Sequence, residues 1–179
     1  SGDTNALVTQ AKLGIPLVVP SDPGRLASQF NIPDLNILMA PYILTDPTVL
    51  KKLPDTELFQ EWSKQLEAQG IVFIADMYNG FRNFYTTKQV KTVADLKGLR
   101  IRGFGNDIGN ALAKYLGFAN IAIPFGEVFT AIQQKTLDGT EVQVSAAAGA
   151  ALWDVTKYIA ITKHYMLQTA FVCSTKMLN

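Results

Sequence analysis

The amino-acid sequence predicts an α/β fold, with strands and helices alternating along most of its 179 residues. Three observations carry that expectation. Residues 55–69 repeat apolar side chains at helical spacing and stop at Gly70, and residues 71–75 follow as an unbroken apolar strand. Residues 99–102 and 107–116 repeat the order of strand then helix. With 48% hydrophobic residues, the chain can bury a sizeable core as one large domain or as parts of two.

Taken in order, residues 5–13 place Ala6, Leu7 and Ala11 at helical spacing, with Gly14 as a stop, and residues 15–19 read as a short buried strand. The run Pro20-Ser21-Asp22-Pro23-Gly24 reads as a turn cluster. Residues 36–44 are apolar but interrupted by Pro41, which predicts an extended crossover segment. In the helix over 55–69, Asp55 or Thr56 stands where a cap is needed, and Leu58, Phe59, Trp62 and Leu66 line one face. The apolar run at 71–75 is expected to lie in a covered parallel sheet.

In the second half, the helix over 107–116 carries Ile108, Leu112 and Leu116 inward, and 121–123 reads as a short strand. A helix is expected over 125–137 with Val128, Phe129 and Ile132 inward, closed by Asp138-Gly139. Residues 141–144 read as a strand, and the Ala-rich run from Ser145 as a helix reaching about residue 158.

Composition excludes several classes of function. A formal net charge of +1, with 16 basic residues scattered along the chain, gives no electrostatic bias toward nucleic acid or an anionic membrane surface. Cys173 is the only cysteine, so neither an intrachain disulfide nor a cysteine zinc cluster can form; its apolar neighbours place it in a buried strand. No uninterrupted apolar run approaches the length of a membrane span. His164 is the only histidine, which argues against a metal site or a catalytic triad and for a structural hydrogen-bonding role. No catalytic residue and no cofactor is expected.

The residues with chemistry to offer are arginines. Arg82 and Arg102 stand twenty positions apart, each near a glycine and an aromatic residue. A guanidinium fork meets a carboxylate bidentately, which suits the capture of a small organic anion. Alternation along 99–102 turns Arg100 and Arg102 away from Leu99 and Ile101. That leaves two readings open: a solvated face or a surface salt bridge to Asp95 or Asp107, and a ligand clamp. A rival site is Gly103-Phe104-Gly105-Asn106-Asp107-Ile108-Gly109, which follows a strand and opens a helix as a phosphate-cradling turn would. Its spacing departs from the dinucleotide fingerprint, so a nucleotide-binding α/β enzyme is the weaker alternative.

The segments Gly80-Phe81-Arg82, Asp95-Leu96-Lys97-Gly98-Leu99-Arg100-Ile101-Arg102, Pro124-Phe125-Gly126-Glu127-Val128 and Asp138-Gly139-Thr140-Glu141 resemble one family. It is the DctP family of extracytoplasmic solute-binding proteins of tripartite ATP-independent periplasmic (TRAP) transporters. The stretch from Trp153 to His164 extends the likeness. The resemblance implies a type II periplasmic-binding-protein-like fold, two α/β lobes around a cleft. It implies capture of a carboxylate solute outside the cytoplasm, in the periplasm, for delivery to TRAP membrane subunits. It makes Arg102 the principal carboxylate clamp, Arg82 its helper or brace, and Phe125 a ring packed on the ligand. Glu127 and Glu141 would brace helix ends and the hinge. Asp22 and Arg25 would face the cleft from the first lobe. A ligand-sensing domain of the same fold is the alternative within this class.

Two departures bear on the ligand. Val142 stands where many members carry an asparagine that hydrogen-bonds the solute, and Arg102-Gly103-Phe104 replaces an Arg-Val-Pro turn. Both suggest a pocket more apolar on that side, suited to a monocarboxylate with a hydrophobic or aromatic body. Members are longer than this chain, which therefore reads as a fragment truncated at both ends. Residues 1–80 would be a partial first lobe, 81–168 a nearly complete second lobe, and 169–179 the start of the return. Such a fragment is expected to expose apolar surface and to self-associate.

Overall fold

The computed structural model describes residues 3–178. Along the chain run α1 (Thr4–Lys12), β1 (Val19–Ser21), α2 (Pro23–Phe30), α3 (Glu57–Glu67) and β2 (Ile71–Thr86). Next come β3 (Arg100–Arg102), α4 (Asp107–Leu116), β4 (Ala119–Asn120), α5 (Val128–Gln133), β5 (Gly139–Gln143) and α6 (Val144–Gly149). Strands β6 (Tyr158–Ala160) and β7 (Met166–Ser174) and helix α7 (Thr175–Leu178) complete the order. The chain forms two compact units, residues 1–79 with 166–179 and residues 80–165.

In the first unit, β1 runs antiparallel to β7, with Val19 opposite Val172 and Ser21 opposite Ala170. Asp76 and Asn79 on β2 receive Gln168 and reach Thr169 of β7, respectively. Helix α3 begins where the Thr56 hydroxyl accepts the Phe59 amide at 3.2 Å, and it buries Phe59, Trp62 and Leu66. Phe59 stands edge-on to Phe73, with ring centroids 4.7 Å apart. Leu58, expected on the inner face, is 51% exposed, because the helical phase set by Phe59, Trp62 and Leu66 turns it outward.

Other expectations for this unit give way to local chemistry. The strand expected over 15–19 begins only at Val19. The cluster at 20–24 is the start of a helix rather than a loop: Asp22 caps α2, Pro23 takes its first position, and Asn31 ends it in the left-handed conformation. Residues 33–39 coil into a 3₁₀ helix instead of extending. The apolar run at 71–75 belongs to a 16-residue strand whose Ile74 is 47% exposed, so the covered parallel strand is not what forms.

In the second unit the sheet is mixed. The later half of β2 pairs antiparallel with β5 on one side and β6 on the other, while β3 lies parallel to both β5 and β4. Gly139 of β5 sits opposite Thr86 in a space that no side chain can enter, since an added Cβ would overlap the Tyr85 carbonyl. One face of the sheet packs Phe84, Leu96, Leu99 and Ile101 against Ala113 of α4 and Phe118. The opposite face packs Tyr85 and Val142 against Val128 and Ile132 of α5, Ala147 of α6, and Leu137 and Leu152.

Helix α4 has the predicted bounds, but its buried positions are Gly109 and Ala113, with Leu112 and Leu116 half-buried beside them. The strand expected at 121–123 is displaced to 119–120, where the chain pairs with Arg100 and Ile101. The expected helix over 125–137 divides into a 3₁₀ turn at Phe125–Glu127 and the six-residue α5. The Ala-rich helix ends at Gly149, and Ala151 in the left-handed conformation and a 3₁₀ turn at Leu152–Asp154 follow where continuous helix was expected. Cys173 is fully buried in β7, as its sequence neighbours predict, and burial pushes its thiol pKa up.

Candidate functional site

At the carboxyl end of β3 the side chain of Arg102 is half-buried, while Ile101 before it is fully buried. The Thr140 hydroxyl donates to the Arg102 carbonyl at 3.0 Å, tying this end of β3 to β5. Arg102 Nε donates to the Ile123 carbonyl at 3.2 Å, and its guanidinium carbon lies 5.6 Å from the centre of the Phe125 ring. Phe125 in turn packs against the core on the α5 face. Backbone and ring therefore hold one strongly basic group at the strand end, the position where open α/β sheets present ligands.

Arg82 has a different setting. It is 3% exposed, and its Nε and Nη2 donate to the two carboxylate oxygens of Glu141, the Nη2–Oε1 distance being 2.7 Å. Nη2 also donates to the Glu141 carbonyl. The rings of Phe104 and Tyr165 lie 4.0 and 5.6 Å from the Arg82 guanidinium carbon. His164 stands at 3.3 Å from Glu141 through Nε2 and 2.8 Å from the Thr162 hydroxyl through Nδ1, and it stacks on Phe84 at 4.8 Å. Burial pushes the Glu141 carboxyl up, yet the charge of Arg82 and the hydrogen bonds from His164 and Arg82 hold it below its ordinary value. His164 thus has the structural hydrogen-bonding place that the sequence suggested, and Glu141 braces a buried arginine rather than a helix end.

The remaining predicted residues separate by place. Arg100 pairs with Asp138, not with Asp95 or Asp107: Nε and the backbone amide each reach Oδ2 at 2.9 Å. Those bonds hold the Asp138 carboxyl below its ordinary value. Glu127 is exposed in the 3₁₀ turn before α5. In the first unit, Asp22 accepts the Arg25 amide at 2.9 Å and pairs with Arg25 Nε at 3.0 Å, so both shape the start of α2. Val142 is 1% exposed and lies in the core with Tyr85, Ile132 and Leu152. Strand alternation turns its side chain inward, among these residues.

Sequence reasoning missed Asn120, and it did not foresee that the Phe104 ring lies over Arg82. Asn120 Nδ2 donates to the Phe104 carbonyl at 2.6 Å and to Asn110 at 2.9 Å. Gly103 and Gly109 make the arrangement fit: a Cβ on Gly103 would lie 2.6 Å from Asn120 Oδ1, and one on Gly109 would overlap the Phe104 backbone. The glycines that suggested a phosphate turn have a packing role here. Among the described residues no group of His, Cys, Asp and Glu could hold a metal ion.

The profile of the bacterial extracellular solute-binding proteins, family 7 (DctP), matches residues 3–179. The chain belongs to the DctP family. It is 32% identical over 133 residues to the 2,3-diketo-L-gulonate-binding periplasmic protein of Escherichia coli K12, an alignment covering 74% of this chain and 40% of that protein. A TRAP periplasmic solute-binding protein of Actinobacillus succinogenes, solved with bound L-galactonate, superposes with a TM-score of 0.91 at 26% identity, covering 98% of this chain and 58% of that one. Another from Pseudomonas putida F1, with bound D-glucuronate, gives 0.87 at 28% identity over 99% and 58%. The chain thus spans about half the length of these relatives. Membership places the chain in a family of bacterial extracellular solute-binding proteins, and its mixed-sheet α/β architecture is that of type II binding proteins over the matched length.

Proposed function

We propose that this chain is part of the solute-binding subunit of a TRAP transporter and captures a small organic acid by clamping its carboxylate with Arg102. The observation that carries this reading is the setting of Arg102 at the carboxyl end of β3, braced by the Ile123 carbonyl and faced by Phe125. The guanidinium supplies charge-assisted hydrogen bonds, each contributing about 1.5–3 kcal/mol, and the Phe125 ring offers an apolar surface to the carbon chain. No bond is made or broken. The captured acid is then handed to the transporter's membrane subunits. Sugar acids are the first candidates, because L-galactonate and D-glucuronate occupy two structural relatives.

A thermal-shift screen of the full-length protein against sugar acids and short organic acids tests this reading. An acid at a hundred times its dissociation constant adds about 2.7 kcal/mol of stability and raises the midpoint accordingly. A carboxylate that shifts the wild type but not Arg102→Met supports the clamp. A panel in which no acid shifts the wild type, or in which both proteins shift equally, overturns it.

A further inference from the structure

The near-neutral charge of the whole chain is unevenly divided. Residues 80–165 carry ten lysines and arginines against six aspartates and glutamates, whereas the other unit carries six against nine. Much of the excess gathers at one end of the second unit's sheet, where β2 finishes and β3, β5 and β6 begin. Thr86 stands there opposite both Gly139 and Tyr158, and Gly139 stands opposite Ile101. Arg102 lies at the other end of β3.

Backbone bonds draw four cationic residues around Thr86 and Thr87. The Thr86 carbonyl accepts the Lys157 amide at 3.0 Å, and its hydroxyl donates to the Lys88 carbonyl at 2.7 Å. Thr87 donates its amide to the Asp138 carbonyl at 2.9 Å, and Arg100 Nη2 donates to the Lys135 carbonyl at 2.8 Å. Arg100 is engaged by the Asp138 carboxylate. Lys88, Lys135 and Lys157 are exposed and, among the described residues, stand in no ion pair. In the loop from β2 to β3, Lys91 and Asp95 offset each other, the carboxylate accepting the Lys91 amide at 2.9 Å.

Exposed apolar side chains accompany these charges. Trp153 is 60% exposed in the turn that leads into Lys157, Tyr158 is 40% exposed beside it, and Val93 is 58% exposed in the loop from β2 to β3. Asp154, next to Trp153, subtracts one charge from the group. Lysines are compact point charges and suit a diffuse layer of anionic headgroups, whereas an acidic protein surface is met better by the fork of an arginine, and Arg100 is already taken. Tryptophan and tyrosine settle at the boundary between water and lipid, with the apolar ring in and the polar tip out. We propose that this end of the second unit is a peripheral contact surface for an anionic phospholipid bilayer, held by Lys88, Lys135 and Lys157 with Trp153 at its edge. The proposal does not depend on the carboxylate clamp, which it would bring near the membrane.

Sedimentation of the full-length protein with vesicles of phosphatidylglycerol mixed with phosphatidylcholine, beside vesicles of phosphatidylcholine alone, tests it. At about 0.1 M salt the anionic vesicles are expected to bind about tenfold or more tightly, and at about 1 M, where charges are screened beyond about 3 Å, the preference should vanish. The triple variant Lys88→Gln, Lys135→Gln, Lys157→Gln should lose about fivefold per lysine, down to the phosphatidylcholine value. The triple variant Lys51→Gln, Lys52→Gln, Lys64→Gln removes three exposed lysines of the first unit and should stay within about threefold of wild type. Thermal midpoints check that both variants are folded. Tryptophan emission should shift to the blue on anionic vesicles and not in Trp153→Phe, since Trp62 is 2% exposed and already buried. Equal binding to both vesicles, equal loss in the two triple variants, or binding without the Trp153 shift overturns the proposal. Capture by polyglutamate without capture by the vesicles overturns it too and assigns this end to an acidic protein.

Discussion

Replacing Arg82 by methionine removes the positive charge and three hydrogen bonds to Glu141 while keeping much of the side-chain volume. Glu141 is then a carboxylate with 1% exposure, left beside His164. Breaking a buried pair by deleting one partner costs about 3–5 kcal/mol, because the other charge stays desolvated. For a chain of this size that corresponds to a midpoint lowered by about 6–20 °C.

The loss carries a pH signature. In the wild type the Glu141 carboxyl lies below its ordinary value of 4.5, so its stabilisation is complete above that value and is lost as pH falls through the folded one. In Arg82→Met burial dominates and raises the carboxyl above its ordinary value, so the cost is full at neutral pH and shrinks as acid protonates Glu141. Urea denaturation of both proteins at pH 7 and pH 5 measures the gap at each. A gap of several kcal/mol at pH 7 that narrows at pH 5 is expected, and Arg82→Met with Glu141→Leu should recover most of it. A gap below about 1 kcal/mol, or one independent of pH, would refute this account of the buried pair.

Three further outcomes follow from packing and capping. Gly139→Ala drives a Cβ into the Tyr85 carbonyl, so the β2–β5 ladder must shift, with a loss of at least about 2 kcal/mol by urea midpoint; a neutral substitution would show that the close approach is not there. Thr56→Ala removes the cap that accepts the Phe59 amide and should cost about 1 kcal/mol, with Thr56→Ser recovering most of it in the same assay. Cys173 is fully exposed to a thiol reagent only after unfolding, so labelling at pH 8 should be slow in the native protein and fast in denaturant; rapid native labelling would contradict its burial in β7.

Much of this could be read from the chain, and the remainder could not, for identifiable reasons. Helices α3 and α4 were legible from local signals: Thr56 and Gly70 bracket one, and apolar residues at helical spacing from Ile108 to Leu116 mark the other. Helix α2 was hidden because Pro23 and Gly24 signal a turn, while in the fold they occupy the first turn of a helix capped by Asp22. Strand β2 was cut short because polar residues from Asp76 to Thr86 break the apolar run, and its pairing with β5 is a long-range fact that no local pattern encodes. Arg102 was singled out as a candidate by alternation and resemblance. For Val142 the motif gives a position but not the direction of the side chain, which is toward the core. The role of Phe104 over Arg82 was not legible because its glycine neighbours suggested a phosphate turn, whereas they make room for Asn120 and helix α4.

The measurement that bears most directly on carboxylate capture is isothermal titration of the full-length protein with the acid that raises its midpoint most, beside Arg102→Met and Arg102→Lys. Loss of a two-pronged charge-assisted contact predicts an affinity about a hundredfold weaker in Arg102→Met, with Arg102→Lys in between because a point charge replaces the fork. Dissociation constants within about threefold across all three proteins would contradict the clamp and require the acid to be held elsewhere.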